Sequence, residues 1–262
     1  MTTDTTYQYL PGKTLVPVDA PETILRVADS WLVNDGQTRA LHLHRQRFLS
    51  GALSLTNLHE RDIVPFWNAA MTRIPATGLW FPRIELAGSA RNPVFQFRIR
   101  KAPALQRTIR LHDAPIADFR KIPRHKGPDL AQCIAIRRDI LSTGAEEALI
   151  TTRQGFILEG LTTTILWWEN GTLCRVPPSC RLLPGITCQL ILRIAEQHGI
   201  PVACRMRKPH ELNHLEVWAV NALHGIRRII DWEHAPFHPE AHSDIAYWRE
   251  ALENFREPVT GA

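Results

Sequence analysis

Hydrophobic and polar positions follow several distinct rhythms along the chain, and each predicts an element. Residues 24–33 read as extended, and Asn34-Asp35-Gly36 supplies a hairpin turn before a second strand near Thr38 to Leu41. His42 to Ala52 fits a helix. Residues 57–74 fit another, because Ile63, Val64, Phe66, Trp67, Ala70, Met71 and Ile74 recur at helical spacing on one face. Alternation returns in Trp80 to Leu86 and in the run Phe95 to Arg100, which predicts half-buried strands.

From His112 to Pro128 the pattern lapses into Pro, Lys, Arg and Asp without a period, as expected of a connection between two domains. The predicted division is residues 1–114 and 115–262. Beyond it, residues 130–143 form a predicted helix with Cys133, Ile134, Ile136, Ile140 and Leu141 inward and Gly144 as its stop. Turn signals at Gln154-Gly155 and Asn170-Gly171 mark two hairpins. Leu183-Pro184-Gly185-Ile186-Thr187 then opens a helix that runs to His198 and ends at Gly199. No period of 20–50 residues repeats, so solenoids and propellers are excluded, and the fold class is mixed, α/β (α+β).

The composition narrows the possibilities. With 44% hydrophobic and 22% charged residues over 262 positions the chain can bury a full core, which excludes disorder. No apolar run reaches the roughly 20 residues that cross a bilayer, and Met1-Thr2-Thr3-Asp4 lacks the start of a signal peptide, so no membrane association and a cytoplasmic location are expected. The five cysteines have neither C-x-x-C spacing nor a nearby His pair, so no metal or disulfide framework is expected. The net charge of +5 comes from 31 basic residues scattered among 26 acids, which argues against nucleic acid and for a basic pocket that takes a small anion.

Five short segments carry candidate chemistry. They are His44-Arg45-Gln46-Arg47-Phe48, then Lys126 eighteen residues before Gly144-Ala145-Glu146-Glu147-Ala148-Leu149, then Gly155-Phe156-Ile157-Leu158-Glu159-Gly160 followed by Thr162-Thr163-Thr164, then Leu183-Pro184-Gly185-Ile186-Thr187, and last Val220-Asn221-Ala222-Leu223. In this order they resemble the fold type IV pyridoxal-phosphate enzymes, which include branched-chain and D-amino-acid aminotransferases and aminodeoxychorismate lyase. The resemblance runs from about Asp29 to Ile226. It implies a small N-terminal α/β domain, a larger domain with a barrel-like sheet, pyridoxal 5'-phosphate as cofactor, and a homodimer.

By the resemblance, Lys126 is the catalytic lysine that forms the Schiff base and shuttles a proton at the substrate's α-carbon. Glu159 is the carboxylate beside the pyridine nitrogen, which keeps the ring an electron sink. Gly185, Ile186 and Thr187 offer backbone donors at a helix start, where unpaired N–H groups and the dipole favour a phosphate. Arg47 is assigned to the same phosphate, although His42 and Arg45 share the offset of His44 and Arg47. Asn221 and Ala222 complete the phosphate side, and Asn221 reads equally well as a turn residue. Arg83 is the arginine chosen from Arg83, Arg98 and Arg100 for a substrate carboxylate, with Ser30 and Thr162 as further substrate candidates. His224 and the tryptophans, including Trp167-Trp168, read as structural.

The sequence departs from the family in places. The glycine-rich opening segment is missing, with Ala28-Asp29-Ser30 where it would end. Gly127-Pro128-Asp129-Leu130 replaces a frequent tyrosine, Thr164 a frequent asparagine, and Cys188 the arginine after the L-P-G-I-T segment. The expected activity is transfer of an amino group between an amino acid and a 2-oxo acid. A lyase similar to aminodeoxychorismate lyase, releasing pyruvate, is the alternative, favoured by Asn221-Ala222-Leu223 and the 33-residue separation of Lys126 and Glu159. A binder of the cofactor without catalysis is a third reading, against which the retained Lys126 and Glu159 argue.

Overall fold

A computed structural model describes residues 4–10, 12, 14–112, 115–232 and 237–259. The chain divides into two compact units. The first comprises Met1–Leu105, His125–Leu130 and Asn254–Ala262, and the second Gln106–Arg124 and Ala131–Glu253.

The first unit contains β1 (Thr5–Tyr9), β2 (Leu15–Pro17), β3 (Leu25–Ser30), β4 (Val33–Asn34), β5 (Gln37–Arg39), α1 (Leu41–Leu55), α2 (Glu60–Met71), β6 (Leu79–Trp80), β7 (Arg83–Gly88), β8 (Pro93–Ile99) and, from the C-terminus, β18 (Arg256–Pro258). An antiparallel five-stranded sheet runs β2-β1-β8-β7-β3, and a smaller one β18-β5-β4-β6. Asp35 and Gly36 at φ 48° and 71° make the tight turn that the Asn34-Asp35-Gly36 signal predicts. The extended run breaks at Trp31 because β3 pairs with β7 while β4 pairs with β5 and β6. Val27, Ile84, Leu86, Phe95 and Phe97 bury one sheet face against Phe48, Ile63, Phe66 and Trp67 of the helices.

The second unit contains β9 (Thr108–Leu111), β10 (Ile116–Ala117), α3 (Leu130–Ile140, from Ala131 on), β11 (Leu149–Thr151), β12 (Ile157–Gly160), β13 (Thr164–Glu169), β14 (Thr172–Arg175), α4 (Ile186–Gln197), β15 (Val202–Cys204), β16 (Val217–Asn221), β17 (Gly225–Trp232) and α5 (Ile245–Glu253). Its ladders form a six-stranded sheet, β15-β14-β13-β16-β17-β9, and a three-stranded one, β10-β11-β12. The Leu111–Glu147 bridge links these two sheets. Ile109, Leu149, Ile165, Trp167, Val217 and Ile229 make the core, and Trp168, Trp218 and Trp248 cluster edge to face with ring centroids 5.5–5.7 Å apart.

Two differences from the sequence reading have physical causes. In α3 only Cys133 and Ile140 are buried; Ile134 and Leu141 are 46% and 47% exposed, because they share a stripe turned away from the face that carries Cys133 and Ile140. The aperiodic stretch 112–128 holds β10, which pairs with β11, and from residue 125 to 130 the chain returns to the first unit. β9 belongs to the second unit, where it pairs with β17, and residues 113 and 114, at the expected boundary, lie outside the described residues.

Candidate functional site

In the first unit, Lys126 is placed by its backbone. Its carbonyl oxygen accepts the N–H of Ala28 at 2.7 Å, which pins the segment against β3. Gly127 makes that approach possible: its φ is +142°, and an added Cβ would lie 2.8 Å from the Cα of Val27. Gly51 plays a similar part for α1, since a Cβ there would meet Val27 Cγ1 at 3.0 Å.

One turn of α1 carries His44 and Arg47 on the face that meets Asp29 near the end of β3. Arg47 grips this fully buried carboxylate twice, Nε to Oδ2 and Nη2 to Oδ1, both at 2.8 Å. His44 Nδ1 and the Ser30 N–H also reach Oδ1, at 2.8 and 2.7 Å. Burial alone would push the Asp29 carboxyl up, but Arg47 and His44 outweigh it and hold the group well below the usual carboxylate range. Burial lowers the pKa of His44, so its neutral ring donates Nδ1–H to Asp29. The competing pair points elsewhere: His42 is exposed and meets Glu257, and Arg45 meets Glu60 at 3.7 Å.

The Lys126 side chain is partly accessible to solvent but surrounded by enough protein to lose much of its hydration. That desolvation, with Arg47, Arg83 and Arg100 acting in the same direction and Asp29 against them, lowers its pKa to about 8. Ser30 lies directly across from Arg83 in the β3–β7 pair. Arg83 and Arg98 converge on the buried Glu85, Arg98 Nε at 3.0 Å. Arg100 donates Nε–H to the Phe81 carbonyl, lies over the Phe81 ring, and is lowered to about 10 by burial and Arg83.

In the second unit, Glu159 on β12 is buried, paired with the Arg120 guanidinium and accepting the Leu183 N–H at 3.3 Å. Arg120 is itself oriented by Asp118, whose Oδ1 lies 2.8 Å from Nε. Gly185 is the N-cap of α4, whose first turn has no side-chain cap and no acidic residue. The N–H groups of that turn are therefore donors available to an anion. A Cβ on Gly185 would fall 2.6 Å from Thr164 Oγ1, so a side chain here would force the Thr164 hydroxyl to move. A cavity of about 310 Å³ opens here, lined by Arg124, Thr164, Arg175, Leu183, Gly185 and Cys188. Burial pushes the Cys188 thiol up to about 11, which leaves it protonated.

The remaining predicted residues divide by what they touch. Ile186 and Thr187 are buried in the first turn of α4. Asn221 Oδ1 accepts the His224 N–H at 2.9 Å and shapes the β16–β17 turn, with Ala222 inside it. Thr162 gives its hydroxyl to the buried Glu147 at 2.7 Å and its N–H to the same oxygen. Sequence reasoning gave Asp29 and Arg120 no role. Arg120 lies in the stretch without periodicity, where the i, i+2 spacing from Asp118 was the sole signal.

The amino-transferase class IV family profile matches residues 26–232. No curated protein matches the sequence. Among solved structures, a fold IV transaminase from Curtobacterium pusillum superposes with a TM-score of 0.73 at 18% identity, over 96% of this chain and 98% of that one. An aminotransferase from Brucella abortus bound to pyridoxal phosphate gives 0.75 at 16%, over 96% and 99%. A candidate 4-amino-4-deoxychorismate lyase from Legionella pneumophila gives 0.73 at 17%, over 91% and 96%. At these identities the superpositions speak for the fold, and the profile, spanning most of the length, for the family: the chain belongs to the class IV aminotransferases, pyridoxal-phosphate-dependent enzymes of fold type IV.

Proposed function

We propose that the protein transfers an amino group between an amino acid and a 2-oxo acid, with Lys126 as the catalytic base and nucleophile. The observation that carries this reading is the placement of Lys126, pinned to β3 through the Ala28 N–H and the close approach of Gly127, with its amine desolvated near Arg47, Arg83 and Arg100. A desolvated amine whose pKa is lowered keeps a larger neutral fraction at working pH than an ordinary lysine, so it attacks a carbonyl and takes or returns a proton at a substrate α-carbon more readily. Pyridoxal phosphate, when bound, supplies the reactive carbonyl and an electron-withdrawing ring.

The other residues fit that group. Glu159, fixed by Arg120, presents a carboxylate suited to a ring N–H. The uncapped start of α4 at Gly185, Ile186 and Thr187 offers donors to a phosphate, and Arg47 adds a fixed cation, with Asn221 and Ala222 on the same side of the reading. Arg83, opposite Ser30 across β3 and β7, is the candidate for a substrate carboxylate, although its guanidinium already pairs with the buried Glu85. Thr162 is less suited to substrate because Glu147 already holds its hydroxyl. A homodimer belongs to the same reading through the family resemblance, and a cytoplasmic location through the sequence reading above. The lyase remains the second reading, supported by the Asn221-Ala222-Leu223 turn.

Borohydride reduction of the protein with added pyridoxal phosphate, followed by peptide mass mapping, tests the assignment. The expected adduct is on Lys126, absent in Lys126→Ala. An adduct on another lysine, or none, overturns it. D- and L-amino acids are then supplied singly; formation of pyridoxamine phosphate establishes transamination, and pyruvate from aminodeoxychorismate without it establishes the lyase.

A further inference from the structure

The Asp29 carboxylate is buried completely, yet it accepts four hydrogen bonds: two from Arg47, one from His44 and one from the Ser30 backbone. A bidentate contact fixes the plane of a guanidinium as well as its position. His44 lies one helical turn before Arg47 and holds the same oxygen that Arg47 Nη2 reaches, so it prevents the carboxylate from rotating. His44 is in turn wedged against Trp31, with ring centroids 5.5 Å apart. Burying an ion pair rarely adds net stability over apolar packing of the same volume, so the network is explained better by what it holds in place.

We propose that Asp29 and His44 are positioning residues, which hold the Arg47 guanidinium in the one orientation that receives the cofactor's phosphate. The proposal rests on the assignment of Arg47 to that phosphate given above. It also sets a sign. Asp29 takes charge away from the neighbourhood of the phosphate, so if charge alone mattered its loss would tighten binding; if orientation matters, its loss weakens binding.

The test compares pyridoxal phosphate with pyridoxal, which lacks the phosphate, by equilibrium titration of the covalent adduct with the full-length protein. Measurements are made at about pH 9, above the Lys126 value, so that changes in the lysine's protonation contribute little. Asp29→Asn is expected to weaken pyridoxal phosphate by about tenfold while leaving pyridoxal within about twofold. In an Arg47→Ala background the same substitution is expected to have no further effect on the ratio of the two affinities. Equal weakening of both ligands, tighter binding of the phosphorylated one, or a full effect without Arg47 overturns the proposal. If Asp29→Asn does not fold by circular dichroism, His44→Leu replaces it, with a loss of about threefold or more expected for the phosphorylated ligand alone. Absence of any adduct in the wild type would instead refute the assignment of Lys126, which separates the two failures.

Discussion

An alanine at position 127 would set its Cβ 2.8 Å from the Cα of Val27 and 3.0 Å from both the nitrogen of Ala28 and the oxygen of Arg26. Carbon atoms in ordinary contact lie about 3.5–4.0 Å apart, so the segment would have to lift from β3 by about 1 Å. All three neighbours are backbone in a paired strand, and none can swing aside as a side-chain tip can. The positive φ of +142° adds strain for any residue with a Cβ. Overpacking and strained dihedrals each cost about 1–3 kcal/mol, so Gly127→Ala should destabilise the protein by about 2–6 kcal/mol in urea unfolding. Where the segment yields instead, the Ala28–Lys126 hydrogen bond breaks and the lysine is displaced, and a misplacement of about 1 Å can lower rates by about 10²-fold. Gly155→Ala is the control, because its φ of +83° carries strain but nothing lies within 4 Å of the added Cβ. It should lose a little stability and keep wild-type capture of pyridoxal phosphate. Stability and capture within twofold of wild type for Gly127→Ala would refute the claim that this contact places the lysine.

Other expectations follow from the same geometry. Arg120→Ala leaves Asp118 and Glu159 without their shared cation, and removing one member of a buried pair should cost about 3–5 kcal/mol, read as a lower urea midpoint that Arg120→Lys partly restores. The lowered pKa of Lys126 means that between about 8 and its ordinary 10.5 the unfolded chain binds more protons than the native one, so the stability of wild type relative to Lys126→Met should rise with pH across that window. A flat difference would contradict the shift. Adduct formation at Lys126 should accelerate as pH rises towards about 8 and level off above it. Gly185→Ala should weaken pyridoxal phosphate by about tenfold through overpacking, and Thr164→Ala should recover part of that loss by removing the hydroxyl 2.6 Å from the new Cβ.

Local chemistry made much of this protein readable from its sequence. Asn34-Asp35-Gly36 and Asn170-Gly171 turn where positive φ is needed, and α4 begins after Pro184-Gly185 and ends at Gln197, with Gly199 at positive φ two residues beyond. The amphipathic period of α2 buries Ile63, Phe66, Trp67, Ala70 and Met71 as expected. These features depend on neighbours a few residues apart, and the ordered motifs added the family. Tertiary structure alone decided what depends on distant partners. It turned His44 and Arg47 inward onto Asp29 and left His42 and Arg45 to meet Glu257 and Glu60, and it returned residues 125–130 to β3 through Gly127. It also turned Ile134 and Leu141 outward, which helical spacing could not foresee, since a period fixes which residues share a face but not which face meets the core. The lowered pKa of Lys126 is of the same kind: it comes from burial and from arginines on α1, β7 and the end of β8, brought together only when the chain folds.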